Sequence, residues 1–195
     1  GYLIAFLLLL LSYILTFSSA QKLIEQANWV NHTSEVIHDL DNVIAFVTRA
    51  ESDFRGYFVT NSRYLLADYY SSKSNADSTF KRVKNLTMDN LERRIDMDSL
   101  SKLINKKFTW MNNGLSIFDS TNILSNSVLI NSNQGLIVMR QLEDYIHKIQ
   151  KAEKNLLKTR TANVAKYSRI IKIINIVSIF LAIILTLYSV VTFNK

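Results

Sequence analysis

Cysteine and proline are absent from all 195 residues, and glycine occurs only at Gly1, Gly56, Gly114 and Gly135. Without cysteine there is neither a disulfide framework nor a thiolate metal site. Without proline, and with so little glycine, the chain lacks the punctuation that sheets and tight hairpins require, so nearly all of it is expected to be helix. Stability outside a membrane must then come from packed helix faces.

Charge is missing from two stretches, Tyr2 to Phe17 and Ile173 to Phe193, which lie on either side of a mostly polar middle. A hydrocarbon layer of roughly 30 Å takes about 20 helical residues, so both ends read as membrane spans and the lipid bilayer is the first expected partner. The second stretch has only Asn175, Ser178, Thr186, Ser189 and Thr192 as polar residues. The first is followed by Ser18, Ser19 and Ala20, small residues that also suit a signal peptidase site, but an uncut anchor is the reading adopted. The expected division is a first span over 1–19, a domain on one side of the membrane over 20–171, and a second span over 172–194. Lys166, Arg169 and Lys172 crowd the inner foot of the second span, and a simple charge count would put the middle in the cytoplasm. That rule is scored over loops shorter than about 60 residues and does not bind a domain of this size.

The net charge is +7. The basic residues are spread along the chain rather than clustered with aromatics, so nucleic acid is not expected as a partner; a nearby membrane surface absorbs the charge.

Apolar residues then recur at alternating spacings of three and four. Trp29, Thr33, Val36, Leu40, Val43, Val47, Ala50, Phe54 and Tyr57 form one stripe of a first helix, with Trp29 and Tyr57 expected in the core. Thr60, Asn61 and Ser62 mark a break. A second helix carries Tyr64, Leu65, Tyr69, Phe80, Val83 and Leu86. Thr87, Asp89 and Asn90 are the next cap candidates. A third helix carries Leu91, Leu100, Ile104, Phe108, Met111, Leu115, Phe118, Ile123 and Leu129. Asn131, Ser132 and Asn133 give the last turn, and a fourth helix runs through Leu142, Ile149, Leu156, Asn163 and Ile170 into the second span. This predicts an all-α, antiparallel up-down four-helix bundle whose helices one and four are continuous with the two transmembrane helices.

The run from Ala50 to Thr60, with Glu51, Arg55, Gly56 and Tyr57 at its centre, resembles the hallmark of the third subtype of the CHASE domain, the cyclase and histidine-kinase associated sensory extracellular domain. Trp29 to Thr33 precedes it. Leu86 to Asn90, which includes Asp89, then Gly135 with Met139 and Arg140, then Glu153, Leu156, Leu157 and Arg160 follow in order. The resemblance covers about Trp29 to Arg160. It implies the periplasmic or extracellular sensory input module of a bacterial inner-membrane receptor, with a sensor histidine kinase as the first reading. A chemoreceptor or nucleotide-cyclase sensor, or a membrane-anchored scaffold or adaptor that transmits nothing, are the alternatives. It also implies an unknown small-molecule or protein ligand and no catalytic activity in this segment.

No catalytic, metal or cofactor residues are expected. His32 and His38 point to different faces, His147 is alone, and neither a nucleophile turn nor a glycine-rich phosphate loop is present. The informative polar residues lie on core stripes instead. Glu51 and Arg55 have the favourable spacing of four. Glu153, Arg160 and Asn163 occupy positions where the pattern calls for apolar residues, and form a candidate signal-coupling polar core. If helices one and four are antiparallel, a residue on one is level with roughly 192 minus its number on the other, since both rise equally. That puts Arg140 beside Glu51, so Glu51 is expected to contact Arg140 or to share Arg55 with it. A parallel homodimer around helices one and four completes the expectation.

Overall fold

The structure, a computed structural model, describes residues 2–88, 90–121 and 132–193. These form α1 (Tyr2–Thr60), α2 (Arg63–Leu86), α3 (Leu91–Thr121) and α4 (Ser132–Phe193), and no strand occurs among the described residues. The all-α fold expected from the missing proline and glycine is the one formed. Four of the expected positions, Asp89, Ile123, Leu129 and Asn131, lie outside the described residues.

The first two connections fall where short polar residues stand in the sequence. Asn61 adopts φ 53°, the left-handed conformation that asparagine tolerates better than most residues, and its N–H bonds the Tyr57 carbonyl at 2.7 Å to end α1. The Thr87 hydroxyl donates to the Val83 carbonyl at 2.9 Å at the end of α2. Asn90 then caps α3: its Oδ1 accepts the N–H groups of Glu92 at 3.0 Å and Arg93 at 3.2 Å. One expected turn is corrected, because Ser132 and Asn133 lie in the first turn of α4.

The chain packs as two compact units. The first is Thr33–Lys154, which holds the end of α1, all of α2 and α3, and the start of α4. Side-chain bonds fix its up-down order. Asp39 and Arg82 pair α1 with α2, Tyr69 and Asn112 pair α2 with α3, Arg93 and Glu153 pair α3 with α4, and Asp41 and Gln150 pair α4 with α1. Within the unit, each bond joins a residue near the start of one helical segment to a residue near the end of another. The core is built from the expected stripes with Met97 added: Leu40, Val43, Val47, Ala50, Phe54 and Tyr57 from α1 cluster with Met97, Leu100, Phe108 and Met111 from α3 and Leu142 and Ile146 from α4. Burying each large aliphatic or aromatic side chain contributes about 1.5 to 3 kcal/mol. Gly114 lets α1 and α3 approach, since a Cβ there would lie 2.9 Å from the Phe54 ring. Leu156 of the expected α4 stripe, which falls in the other unit, is exposed, and so are two expected core members of this unit. Tyr64 is in the first turn of α2 and Leu91 is the first residue of α3.

The second unit is made of α1 up to His32 and α4 from Asn155. Its apolar side chains stay uncovered: Phe6, Leu11, Phe17, Ile176, Phe180 and Leu187 are each more than half exposed. A helix that is apolar all round and unburied is matched to a hydrocarbon solvent. Both α1 and α4 are long and apolar enough to cross a membrane.

Candidate functional site

One buried polar cluster is centred on Lys107 of α3. Lys107 is wholly buried, although its charge would ordinarily keep it at the surface. Its Nζ bonds Glu51 Oε2 on α1 at 2.8 Å and donates to the Gly135 carbonyl on α4 at 3.0 Å, with the Trp110 ring 5.0 Å away. Burial pushes the Lys107 ammonium below its ordinary pKa, and the bond to Glu51 opposes that shift. Arg55, mostly exposed, holds the other Glu51 oxygen at 2.7 Å. Gly135 cannot carry a side chain here, because a Cβ would come within 2.7 Å of the Trp110 indole. Glu51, Arg55 and Gly135 thus belong to one network spanning three helices.

A second cluster ties α3 to α4. Arg93 bonds Glu153 at 2.7 Å and Asp96 at 2.5 Å, and all three are buried. The Tyr145 hydroxyl donates to Asp96 at 3.0 Å, and Lys148 lies 3.7 Å from the same carboxylate. Burial alone would lower the Arg93 pKa, but its bonds to Glu153 and Asp96 outweigh that and raise it. Two carboxylates on one guanidinium satisfy its fork of donors, the arrangement that makes an interior charge tolerable. On α1, Asp39 is fully buried and accepts two bonds from Arg82, whose side chain is half exposed.

At the end of the bundle opposite the α2–α3 connection, the Tyr57 hydroxyl donates to Asp119 at 2.8 Å. That bond, followed by burial, raises the Tyr57 pKa. A cleft of about 660 Å³ opens beside it, lined by Tyr57, Asn61, Arg63, Tyr70, Phe118 and Asp119 among others.

In the second unit, α1 and α4 are joined by polar and aromatic rungs. Arg160 lies 4.7 Å over the Trp29 ring and donates to the Trp29 carbonyl at 3.2 Å. Asn163 donates to Gln26 at 3.2 Å, and Lys22 is 6.0 Å from the Tyr167 ring. Further along, the hydroxyls of Ser12 and Ser178 bond each other.

The expected residues therefore divide. Glu51, Tyr57, Gly135 and Glu153 line the interior of the first unit, while Arg160 and Asn163 are rungs of the second. Gly56 takes Leu65 of α2 against its bare Cα, at 2.9 Å from where a Cβ would be. Two expectations fail. Arg140 does not meet Glu51: it is exposed, because Val138, Met139 and Leu142 take the inward positions around it, and the cation that reaches Glu51 comes from α3. Trp29 is only half-buried, since two helices cannot enclose an indole as four can. Sequence reading missed Asp39, Arg93, Asp96 and Lys107. Arg93 and Lys107 are both seven residues from Leu100 on the α3 stripe, the same signal that singled out Glu153 on α4.

No curated protein and no solved structure matches the chain. The CHASE3 domain matches residues 26–163, more than half of the chain, and takes in the Glu51 network, the Arg93 network and the rungs at Trp29 and Arg160. On that match the protein belongs to the CHASE3 family, the sensory extracellular domains of signalling receptors.

Proposed function

We propose that this chain is the extracytoplasmic input module of a bacterial transmembrane receptor, in the first instance a sensor histidine kinase. Residues 1–19 and 172–194 cross the inner membrane, and residues 20–171 respond to a ligand on its outer side. The observation that carries this reading is the unbroken course of two helices: α1 and α4 each contain an apolar membrane-length segment and a bundle segment with no helix break between them. Such a helix transmits displacement or rotation that a flexible linker would dissipate. Glu153, Arg160 and Asn163 are the residues proposed to couple bundle to span. Polar cross-helix bonds can exchange partners at lower cost than an interdigitated apolar seam can repack. The active form is proposed to be a parallel homodimer around α1 and α4.

The absence of cysteine makes the test direct. Single cysteines at exposed positions such as Ser52 or Lys102, in cells, should react with a membrane-impermeant maleimide. Labelling only after lysis would overturn the topology. Single cysteines along α4 between 158 and 172 should form disulfide dimers with a helical period, and substitutions at Arg160 or Asn163 in the full receptor should alter kinase output. Unchanged output with intact dimers would favour the scaffold reading.

A further inference from the structure

The cleft at the end of the bundle carries charges that do not satisfy each other. Arg63, at the start of α2, and Asp119, near the end of α3, both line it. No ion pair among the described residues involves either of them, and Asp119 Oδ1 takes its hydrogen bond from a neutral phenol, that of Tyr57. Arg63 and Asp119 are both exposed, unlike the buried Asp39, Glu51, Asp96 and Glu153, each of which holds a lysine or arginine within 4 Å. The Tyr57 bond goes to Oδ1, and among the described residues no hydrogen bond reaches Asp119 Oδ2. Tyr57 and Phe118, both buried and packed edge to face with centroids 5.5 Å apart, form part of the lining, and Tyr70 adds a more exposed ring. A second hollow shares Tyr70 and Asp119 and adds Lys73, whose ammonium rests 5.8 Å from the Phe108 ring.

We propose that this cleft binds a small zwitterion, with its carboxylate on Arg63, its ammonium on Asp119, and its carbon chain against the rings of Tyr57, Tyr70 and Phe118. The guanidinium fork suits a carboxylate, and an ammonium gains from both a carboxylate and aromatic faces. A ligand with both charges neutralises the cleft, whereas an anion leaves Asp119 opposing it and a cation leaves Arg63 opposing it. Arg63 and Tyr57 flank the α1–α2 connection, so occupancy would bridge the end of α3 to that turn. This inference rests on the sensory reading above and supplies the ligand class it lacks.

Isothermal titration of the full chain in lipid nanodiscs tests it, with glycine, β-alanine, γ-aminobutyrate, ε-aminocaproate and L-phenylalanine as zwitterions, and butyrate and butylamine as single-charge controls. At least one zwitterion is expected to bind, and to bind about tenfold or more tightly than both controls. Arg63→Gln and Asp119→Asn are each expected to weaken it about tenfold or more, with the helical circular dichroism and thermal midpoint retained. Asparagine keeps the acceptor for Tyr57, so that variant removes charge rather than the bond. Butyrate binding as tightly as the zwitterions, or butylamine doing so, would overturn the inference, as would no binding by any zwitterion below about 10 mM. Binding is read directly here, so its failure leaves the topology and kinase-output tests of the receptor reading untouched.

Discussion

Lys107 and Glu51 meet at 2.8 Å in the interior of the bundle, with the lysine wholly buried. The pair joins α3 to α1, and the lysine's bond to the Gly135 carbonyl brings in α4. Removing the anion strands the buried ammonium. Glu51→Gln should therefore cost about 3 to 5 kcal/mol. Lys107→Met should cost less, because Arg55 still holds the Glu51 carboxylate. Denaturant unfolding of the detergent-solubilised chain measures both, and equal losses would contradict the asymmetry.

Gly135→Ala tests the close approach of α4 to Trp110. A methyl group 2.7 to 2.8 Å from three indole carbons forces the ring or the helix to shift, and overpacking of this kind costs about 1 to 3 kcal/mol. Trp110→Leu in the same chain should recover part of the loss, and the Trp110 fluorescence of the single variant should shift as the ring is displaced.

Arg93 and Glu153 should show a coupling of about 0.5 to 3 kcal/mol in a double-mutant cycle with methionine and glutamine. Arg140→Ala, at an exposed position two residues before buried Leu142, should change stability by no more than about 0.5 kcal/mol. A large effect at Arg140 would revive its pairing with Glu51.

Stability should fall as pH rises past 10. Burial raises the Tyr69 hydroxyl above its ordinary 10.0, and the bond to Asp119, with burial, raises Tyr57 above the same value. The unfolded chain loses these protons near 10.0 while the folded chain keeps them, so alkali favours unfolding. Lys107 acts in the opposite direction: its folded pKa is lowered, so stability rises with pH up to its unfolded value of 10.5 and no further. Equilibrium unfolding between pH 8 and 11.5 should show the tyrosine effect dominating at the top of the range. Tyr57→Phe and Tyr69→Phe should flatten that fall, and Lys107→Met should remove the opposing rise.

The antiparallel register was readable from the sequence. Asp41 with Gln150 in the bundle, and separately Gln26 with Asn163 and Trp29 with Arg160 in the second unit, lie within a few residues of the pairing that equal helical rise demands. Rise along an axis is fixed by backbone geometry, so it can be counted. Rotation about the axis cannot be counted in the same way. Arg140 is at the expected level of Glu51 yet faces outward, because the inward face of α4 is set by how Met139 and Leu142 pack. The partner of Glu51 was unreadable for a related reason: helices adjacent in space need not be adjacent in sequence.

Composition and periodicity by themselves determined the helical class, the four helices of the described residues, two of the turns, the apolar segments and the family run around Glu51. Each of these depends on local chemistry: a missing proline, a stripe at helical spacing, an asparagine that tolerates positive φ. Only the tertiary structure decided which charges meet. Lys107, Arg93 and Asp39 are buried through contacts with residues on other helices, and Arg63 and Asp119 share a cleft although 56 positions separate them in the chain. The energy of a buried charge depends on the distance and orientation of its partner, and those are properties of packing rather than of order along the chain.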